Sequence, residues 1–335
     1  MRKWLILLLL VWLSTPLYSQ KKYVIKFATL APEGSTWLNV MKAFDAEIRQ
    51  LTHGEVRFKI YAGGIQGDEK DVLRKIRLGQ LHSAGFTGVG LGEILPEVRI
   101  LDAPLLFRNY QEIDYITNLL YDEFSEKFRK VGYTLIGWTE VGFVYVYSKK
   151  PITTLQDLKD TKMWMWEGDP VAEATFKALG VSAIPLSVTD VLTSLQTNLI
   201  EAVYTSPLAC VSLQWYTKVK YMMDVPLADA IGAILISNRM FNKLPEQYQR
   251  LLIEKGREHM AALIKQSRVD NEKAIEIMLK NGIQMVQVPE ENLGAFYQAG
   301  ARARRNLVGK LYSQEFLTRI ETALEEFRAQ KSSSP

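Results

Sequence analysis

Few residues of this chain are of a type and spacing to do chemistry. Metal and thiol sites need clustered histidine and cysteine. The sequence holds three histidines, His53, His82 and His259, none near another, and one cysteine, Cys210. No HExxH spacing occurs, and one cysteine allows neither an intramolecular disulfide nor a thiolate metal cluster. Asp and Glu are plentiful, but none stands with Ser and His as a nucleophile requires, and there is no nucleophile elbow. The expectation is no catalytic residue, no metal and no cofactor, so not an enzyme. The run Gly85-Phe86-Thr87-Gly88-Val89-Gly90-Leu91-Gly92 is dense in glycine. Its spacing is not GxGxxG opening a helix, so it reads as a flexible loop beside a cleft. Arg302, Arg304 and Arg305 lie in an amphipathic stretch and read as a solvated face. The run Lys162-Met163-Trp164-Met165-Trp166 has two readings. On a strand Trp164 and Trp166 share one face, which is either packed in the core or forms an aromatic wall of a ligand cleft.

The elements that would position these residues follow from periodicity. Residues 22–29 and 55–61 alternate and are rich in β-formers, which predicts strands. Between them Ser35 is a good N-cap for a helix over 36–52. Asp68 or Glu69 opens a second helix to Leu78, stopped by Gly79, and 84–87 reads as a short strand. This β-α-β-α-β order predicts a parallel sheet with helices outside. Further strands are expected in 133–147 (two runs), 162–166, 182–185, 201–204, 231–237 and 284–288. Helices are expected after 166 to Leu179 and from Thr189 to about Asn198. A helical pattern runs from Pro245 to Lys280 and stops at Asn281-Gly282, about 54 Å at 1.5 Å per residue. A helix of that length is expected to span two domains.

Composition agrees with a soluble globular chain of about two domains: 335 residues, 47% apolar and 23% charged. Arg2 and Lys3, the apolar run from Trp4 to Leu13 and the break Thr15-Pro16-Leu17-Tyr18-Ser19 form a secretory signal peptide, cleaved near Ser19. The apolar run is too short for a membrane span of about 20 residues. An exported, periplasmic product is expected. Without Arg2 and Lys3 the net charge falls from +4 to +2, too weak a bias for nucleic acid as a partner.

Several segments together resemble the solute receptors of TRAP (tripartite ATP-independent periplasmic) transporters. They are Phe27-Ala28-Thr29-Leu30-Ala31-Pro32-Glu33-Gly34-Ser35, the segment YAGGIQGDEKDVLRKIRLG at 61–79, and Leu95-Pro96 followed by Leu101-Asp102-Ala103-Pro104-Leu105-Leu106-Phe107-Arg108. Segments 155–162, 179–185 and 195–207 complete the set. The resemblance implies an α/β, two-lobed periplasmic solute-binding fold with a cleft between the lobes and a long domain-spanning helix. The first lobe would be 20–141 plus 231–270 and the second 142–230 plus 271–330, after the 1–19 signal peptide. The cleft would close on one small-molecule solute and present it to the TRAP membrane permease subunits.

The family usually reads a carboxylate through an arginine in a Lys-Ile-Arg-Val-Pro run, a bidentate pairing no other side chain replaces well. Here the matching residues are Lys162-Met163-Trp164-Met165, so Trp164 stands in the arginine position. A second arginine often follows a Gly-Phe pair, and here Gly142-Phe143 is followed by Val144. Leu30 and Val188 stand at further cleft positions, and Thr205 or Ser206 at an asparagine position. Glu69 and Thr87 match polar positions, and Tyr204, Thr205 and Ser206 would form the far wall. Lys162 shares a strand face with Trp164 and could replace the arginine. Some members hold their ligand through a metal at a Glu-Trp pair, which Tyr204-Thr205 does not match. The resemblance turns the balance for Trp164 toward cleft lining, and the departures from the family pattern at the carboxylate-reading positions point to an apolar or aromatic solute rather than a C4-dicarboxylate. The alternative is an exported receptor-like protein with a structural or signalling role and no transported solute.

Overall fold

The computed structural model describes residues 22–332. The segment read as a signal peptide lies outside them. Among the described residues no helix is long and apolar enough to cross a membrane.

The first strands form as their alternation predicts. β1 (Tyr23–Ala28), β2 (Val56–Tyr61) and β3 (Ser83–Thr87) are parallel in the order β2-β1-β3. The crossovers are α1 (Thr36–Leu51) and α2 (Glu69–Arg77), each started by a side-chain cap, Ser35 accepting from the Leu38 N–H and Asp68 from the Glu69 N–H. The glycine-dense run is not a flexible loop: β3 ends in it, and Thr87 caps a short helix, α3 (Gly88–Gly92). A 3₁₀ segment, Pro96–Asp102, leads to α4 (Tyr110–Leu119) and α5 (Tyr121–Lys130).

The two strand runs expected in 133–147 are one long strand, β4 (Tyr133–Ser148). After it come α6 (Leu155–Lys159), β5 (Trp164–Trp166), α7 (Pro170–Leu179), β6 (Ile184–Leu186), α8 (Val191–Gln196), β7 (Ala202–Thr205), α9 (Pro207–Ser212) and β8 (Tyr221–Met223). Then follow β9 (Ala228–Ser237), α10 (Asn238–Phe241), α11 (Glu246–Lys280), β10 (Gln284–Val286), α12 (Glu290–Asn306) and α13 (Gln314–Ser332).

The sheet is mixed rather than parallel. β9 returns antiparallel between β3 and β4. The order is β10-β8-β4-β9-β3-β1-β2, with β7 also on β4 and β5 paired to β6 apart. Apolar runs such as Ile231 to Ile236 suit a strand buried on both faces, and they do not encode direction. Two lobes result. One surrounds β2-β1-β3; the other holds β5 to β8 and β10. β4 and β9 run through both, with a register shift between Glu140 and Gly142. The largest buried cluster, including Phe86, Phe124, Phe128, Trp138 and Ile231, lies on the α4–α5 side of β4 and β9.

α11 spans the lobes, as its length predicts. It is tied to α1 by Thr36 Oγ1 to Asp270 Oδ2 at 2.6 Å and to the start of α9 by Leu208 N to Asn271 Oδ1 at 2.8 Å. It lies so close to β4 that a Cβ at Gly256 would enter Ile136 Cγ2 and sit 3.1 Å from the Ile136 carbonyl oxygen. Ala in place of Gly gains about 1 kcal/mol of helix propensity, whereas overpacking of this kind costs about 1–3 kcal/mol. Gly256→Ala is therefore expected to lower the melting temperature. A variant as stable as the parent would show that helix and strand separate freely.

Candidate functional site

The C-terminal ends of β1 and β3 bring Thr29, Leu30 and Thr87 to the interlobe cleft, where the second lobe closes over them. A cavity of about 430 Å³ lies there. Eight of the nine residues singled out from the sequence are on its wall: Leu30, Glu69, Thr87, Val144, Trp164, Val188, Tyr204 and Thr205. Ser206 is not. It is fully buried and caps α9, its Oγ accepting from Ala209 N at 3.3 Å. A serine before proline at a helix start is spent on the backbone. Lys162 does not enter the cleft either: it is exposed and absent from the wall. Its backbone carbonyl accepts from Glu201 N at 2.8 Å while its side chain stays in solvent.

Trp164 combines both readings made of it. It lines the cavity and is 2% exposed. Its ring stacks on Tyr204 at 4.9 Å between centroids and meets Trp215 edge-on at 5.3 Å. Its indole N–H donates to the Leu186 carbonyl at 3.0 Å, so the polar atom is satisfied within the wall.

Glu69 opens α2 and reaches the N-terminus of α3. Oε1 accepts from Thr87 N at 2.7 Å; Oε2 accepts from Gly90 N at 2.7 Å and Thr87 Oγ1 at 3.0 Å. Burial pushes its carboxyl up to about 7, against these bonds.

Three wall residues were not singled out from the sequence and form one buried unit. Arg99, 3% exposed, donates from Nε to Asp102 Oδ2 at 2.7 Å and places Nη1 2.9 Å from Asp169 Oδ1. Asp102 also accepts from Ile231 N at 3.0 Å, and Asp169 caps α7 through Val171 N at 3.0 Å. Burial outweighs the guanidinium at Asp102 and lifts its carboxyl to about 6; the two carboxylates push Arg99 up. The Asp169-Pro170 pair is a helix-start signature that could have flagged Asp169, but nothing local links it to Arg99.

A second carboxylate clamps the lobes together. Asp68 uses Oδ1 to cap α2 and Oδ2 to accept from Ser187 Oγ at 2.7 Å, Trp166 Nε1 at 3.0 Å and Val188 N at 3.3 Å, all from the other lobe.

The remaining candidates are structural. His82 Nδ1 meets Lys26 N and Val24 O at 3.1 Å, His259 bonds Glu47 at 2.5 Å, and His53 sits in a turn with φ 50°. Cys210 is buried, which pushes its thiol up. Arg304 is no solvated residue: it donates to Pro104 O at 2.7 Å and pairs with Glu321 at 3.1 Å. Among the described residues no group of three or more His, Cys, Asp or Glu could hold a metal ion.

The DctP family model, bacterial extracellular solute-binding protein, family 7, matches residues 27–310. The chain belongs to this family. Family 7 proteins are solute-binding receptors rather than enzymes, and the two-lobed fold is that of TRAP receptors. The chain is similar to the sugar acid binding protein of Advenella mimigardefordensis in complex with galactonate, at TM-score 0.86 and 19% identity, covering 91% of this chain and 99% of that one. It is also similar to a TRAP receptor of Pseudomonas putida with bound D-glucuronate, at TM-score 0.82 and 22% identity over 89% and 96%. Among curated relatives, the 2,3-diketo-L-gulonate-binding periplasmic protein of Escherichia coli is 23% identical, with 73% of this chain and 75% of that one covered. The ectoine/5-hydroxyectoine-binding periplasmic protein of Ruegeria pomeroyi is 23% identical over 79% of each.

Proposed function

We propose that the chain is exported to the periplasm, with cleavage near Ser19, and closes on one apolar or aromatic solute that it hands to TRAP membrane permease subunits. The lobes would be 20–141 plus 231–270 and 142–230 plus 271–330, hinged at the Glu140–Gly142 register shift of β4; α13 reaches back to pack on α4. The observation that carries the solute class is the cation supply. Arg99 is the one Lys or Arg on the wall among the described residues, and both Asp102 and Asp169 engage it. A buried carboxylate without a partner costs several kcal/mol. Around it stand Leu30, Val144, Trp164, Val188, Phe176 and Trp215. Burying one apolar side chain gives about 1.5–3 kcal/mol, so a few contacts support roughly micromolar binding without an ion pair. The relatives named above bind polar acids or ectoines, but at 19–23% identity their specificities need not carry over.

The test is direct. Protein purified from periplasm without added solute should hold an apolar small molecule in a native mass spectrum. Succinate and D-galactonate should leave tryptophan fluorescence and calorimetry unchanged. Trp164→Ala should weaken the copurified solute about tenfold, a loss of ~1.4 kcal/mol. Tight succinate binding by the unaltered protein would reject the reading.

A further inference from the structure

The strands of the second lobe run from the cavity to a pole on its far side. Val144, Trp164, Trp166 and Thr205 line the cavity from β4, β5 and β7. At the other end of these strands the chain enters or leaves through lysines. Lys149 N donates to Glu201 O at 2.9 Å, Glu201 N to Lys162 O at 2.8 Å, and Lys220 N to Ser148 O at 2.9 Å. These backbone bonds hold Lys149, Lys162 and Lys220 at one end of the lobe. Lys149 lies five residues past Val144, roughly 16 Å along an extended chain.

Six lysines gather in these segments, Lys149, Lys150, Lys159, Lys162, Lys218 and Lys220, with two carboxylates, Asp160 and Glu201. The excess equals the +4 of the whole chain and is held at one end of one lobe. All six but Lys149 are exposed. Elsewhere basic side chains are spent on acids, as Lys127 is on Glu97 and Glu123, and Arg328 on Glu112. None of these six forms an ion pair among the described residues. Lys149 spends its Nζ on neutral acceptors, Leu195 O at 2.6 Å and Asn198 Oδ1. Burial and the charges of Lys162 and Lys218 push its ammonium down, against the pull of Glu201. The same two bonds hold a turn whose next residue, Leu199, is 49% exposed, so an apolar side chain stands beside the lysines. Like charges gathered without counter-charges repel one another, and a surface of opposite sign is a physical reason to keep them.

We propose that this pole of the second lobe docks on anionic phospholipid headgroups, with the lysines against phosphates and Leu199 entering the interface. Binding to a membrane surface grows with attraction to anionic lipid and with the apolar area buried, and this pole offers both. Ammonium groups on flexible stems suit headgroups that move, where a fixed guanidinium fork would gain little. Docking leaves the cavity free, because the cavity lies at the opposite end of β4, β5 and β7. The proposal takes from the export reading only that a membrane is at hand, and it does not depend on the class of solute.

Sedimentation with vesicles of phosphatidylcholine, alone or with roughly a third phosphatidylglycerol, reads the docking on protein purified without added solute. The protein should pellet with the anionic vesicles and stay in solution with the neutral ones. Raising salt from roughly 0.05 to 0.5 M should weaken binding about tenfold, since the Debye length shortens. Each lysine near an anionic surface strengthens binding about fivefold, so Lys162→Gln combined with Lys218→Gln should weaken it about 25-fold. Neither side chain has a partner among the described residues, so this variant should melt with the parent. Leu199→Ser should weaken binding severalfold and leave its salt dependence unchanged. Lys26→Gln combined with Lys243→Gln removes the same charge from the first lobe and should stay within about twofold of the parent. Equal binding to both kinds of vesicle, binding to neither, or equal release by the two lysine pairs would overturn the proposal. Release by inorganic phosphate beyond that by chloride at matched ionic strength would mark a free-phosphate site and overturn it too. Copurified solute, read by native mass spectrometry, should be the same in the Lys162 and Lys218 variant as in the parent. Failure of vesicle binding leaves the solute reading untouched, and vesicle binding stands whatever the cavity holds.

Discussion

Replacing Asp68 by Ala is expected to lower solute affinity roughly 30- to 150-fold. One carboxylate oxygen accepts from Trp166 Nε1, Ser187 Oγ and Val188 N, which all come from the opposite lobe. Hydrogen bonds to a charged acceptor contribute about 1.5–3 kcal/mol each. Asp68 is partly exposed, so water replaces much of this when the cleft opens. A net loss of about 2–3 kcal/mol from the closed state follows. The open state keeps only the cap of α2, worth about 1 kcal/mol. Asp68→Asn separates the two roles, since Asn caps a helix about as well as Asp but gathers three donors poorly. Native mass spectrometry of the copurified solute and small-angle scattering with and without it should show Ala releasing the solute and failing to compact, with Asn between Ala and the parent. Retention by the Ala variant within a factor of two of the parent would end the idea that Asp68 latches the cleft.

Arg99→Met should cost the fold itself about 3–5 kcal/mol, because it strands Asp102 and Asp169 in the interior. A drop of about ten degrees in melting temperature corresponds to that loss. The pH dependence has a definite sign. Asp102 already stands at about 6 with Arg99 beside it, above its ordinary 3.8, since burial raises it more than the guanidinium lowers it. A folded carboxyl raised above its unfolded value holds more protons in the native state, so its contribution to stability is lost as pH rises through the folded value. Without Arg99 the carboxyl moves higher still. The deficit of Arg99→Met should therefore be smallest near pH 5 and grow through neutrality in melts followed by circular dichroism. Arg99→Lys, which keeps a charge but loses the two-sided fork, should fall between. A methionine variant melting with the parent at every pH would show that the two carboxyls find other donors.

Much of this protein was legible along the chain. Alternation in 55–61, the Ser35 cap, the Asn281-Gly282 stop and the apolar run beginning at Ile231 are local features, each set by how neighbouring residues share a face or end a helix. They account for β2, α1, the end of α11 and much of β9. Longer motifs carried the family, because a two-lobed receptor keeps its turns and caps where the chain must reverse. What the sequence left open was direction and partnership. The run beginning at Ile231 says that a strand is buried on both faces, but its antiparallel place between β3 and β4 depends on which strands reach it.

The cavity shows the same division. Leu30, Val144, Trp164 and Val188 could be placed at the cleft from their positions in the motifs. Ser206 could not be told from a wall residue, since capping or facing a ligand depends on the turn of backbone before Pro207. Of the residues that set the charge of the site, Glu69 was legible from its motif, and Arg99, Asp169 and Asp68 were not. Arg99 meets Asp169, and Asp68 meets Ser187, only because the two lobes close face to face. Asp229 is left without a partner by the company it keeps at the crossing of β4 and β9. By itself, then, the sequence determined the elements, the family and the apolar character of the cleft, because periodicity, caps and motif positions are short-range properties. Tertiary structure alone decided which charges are spent on each other, because pairing across a closing cleft is a matter of distance in space and leaves no spacing in the chain.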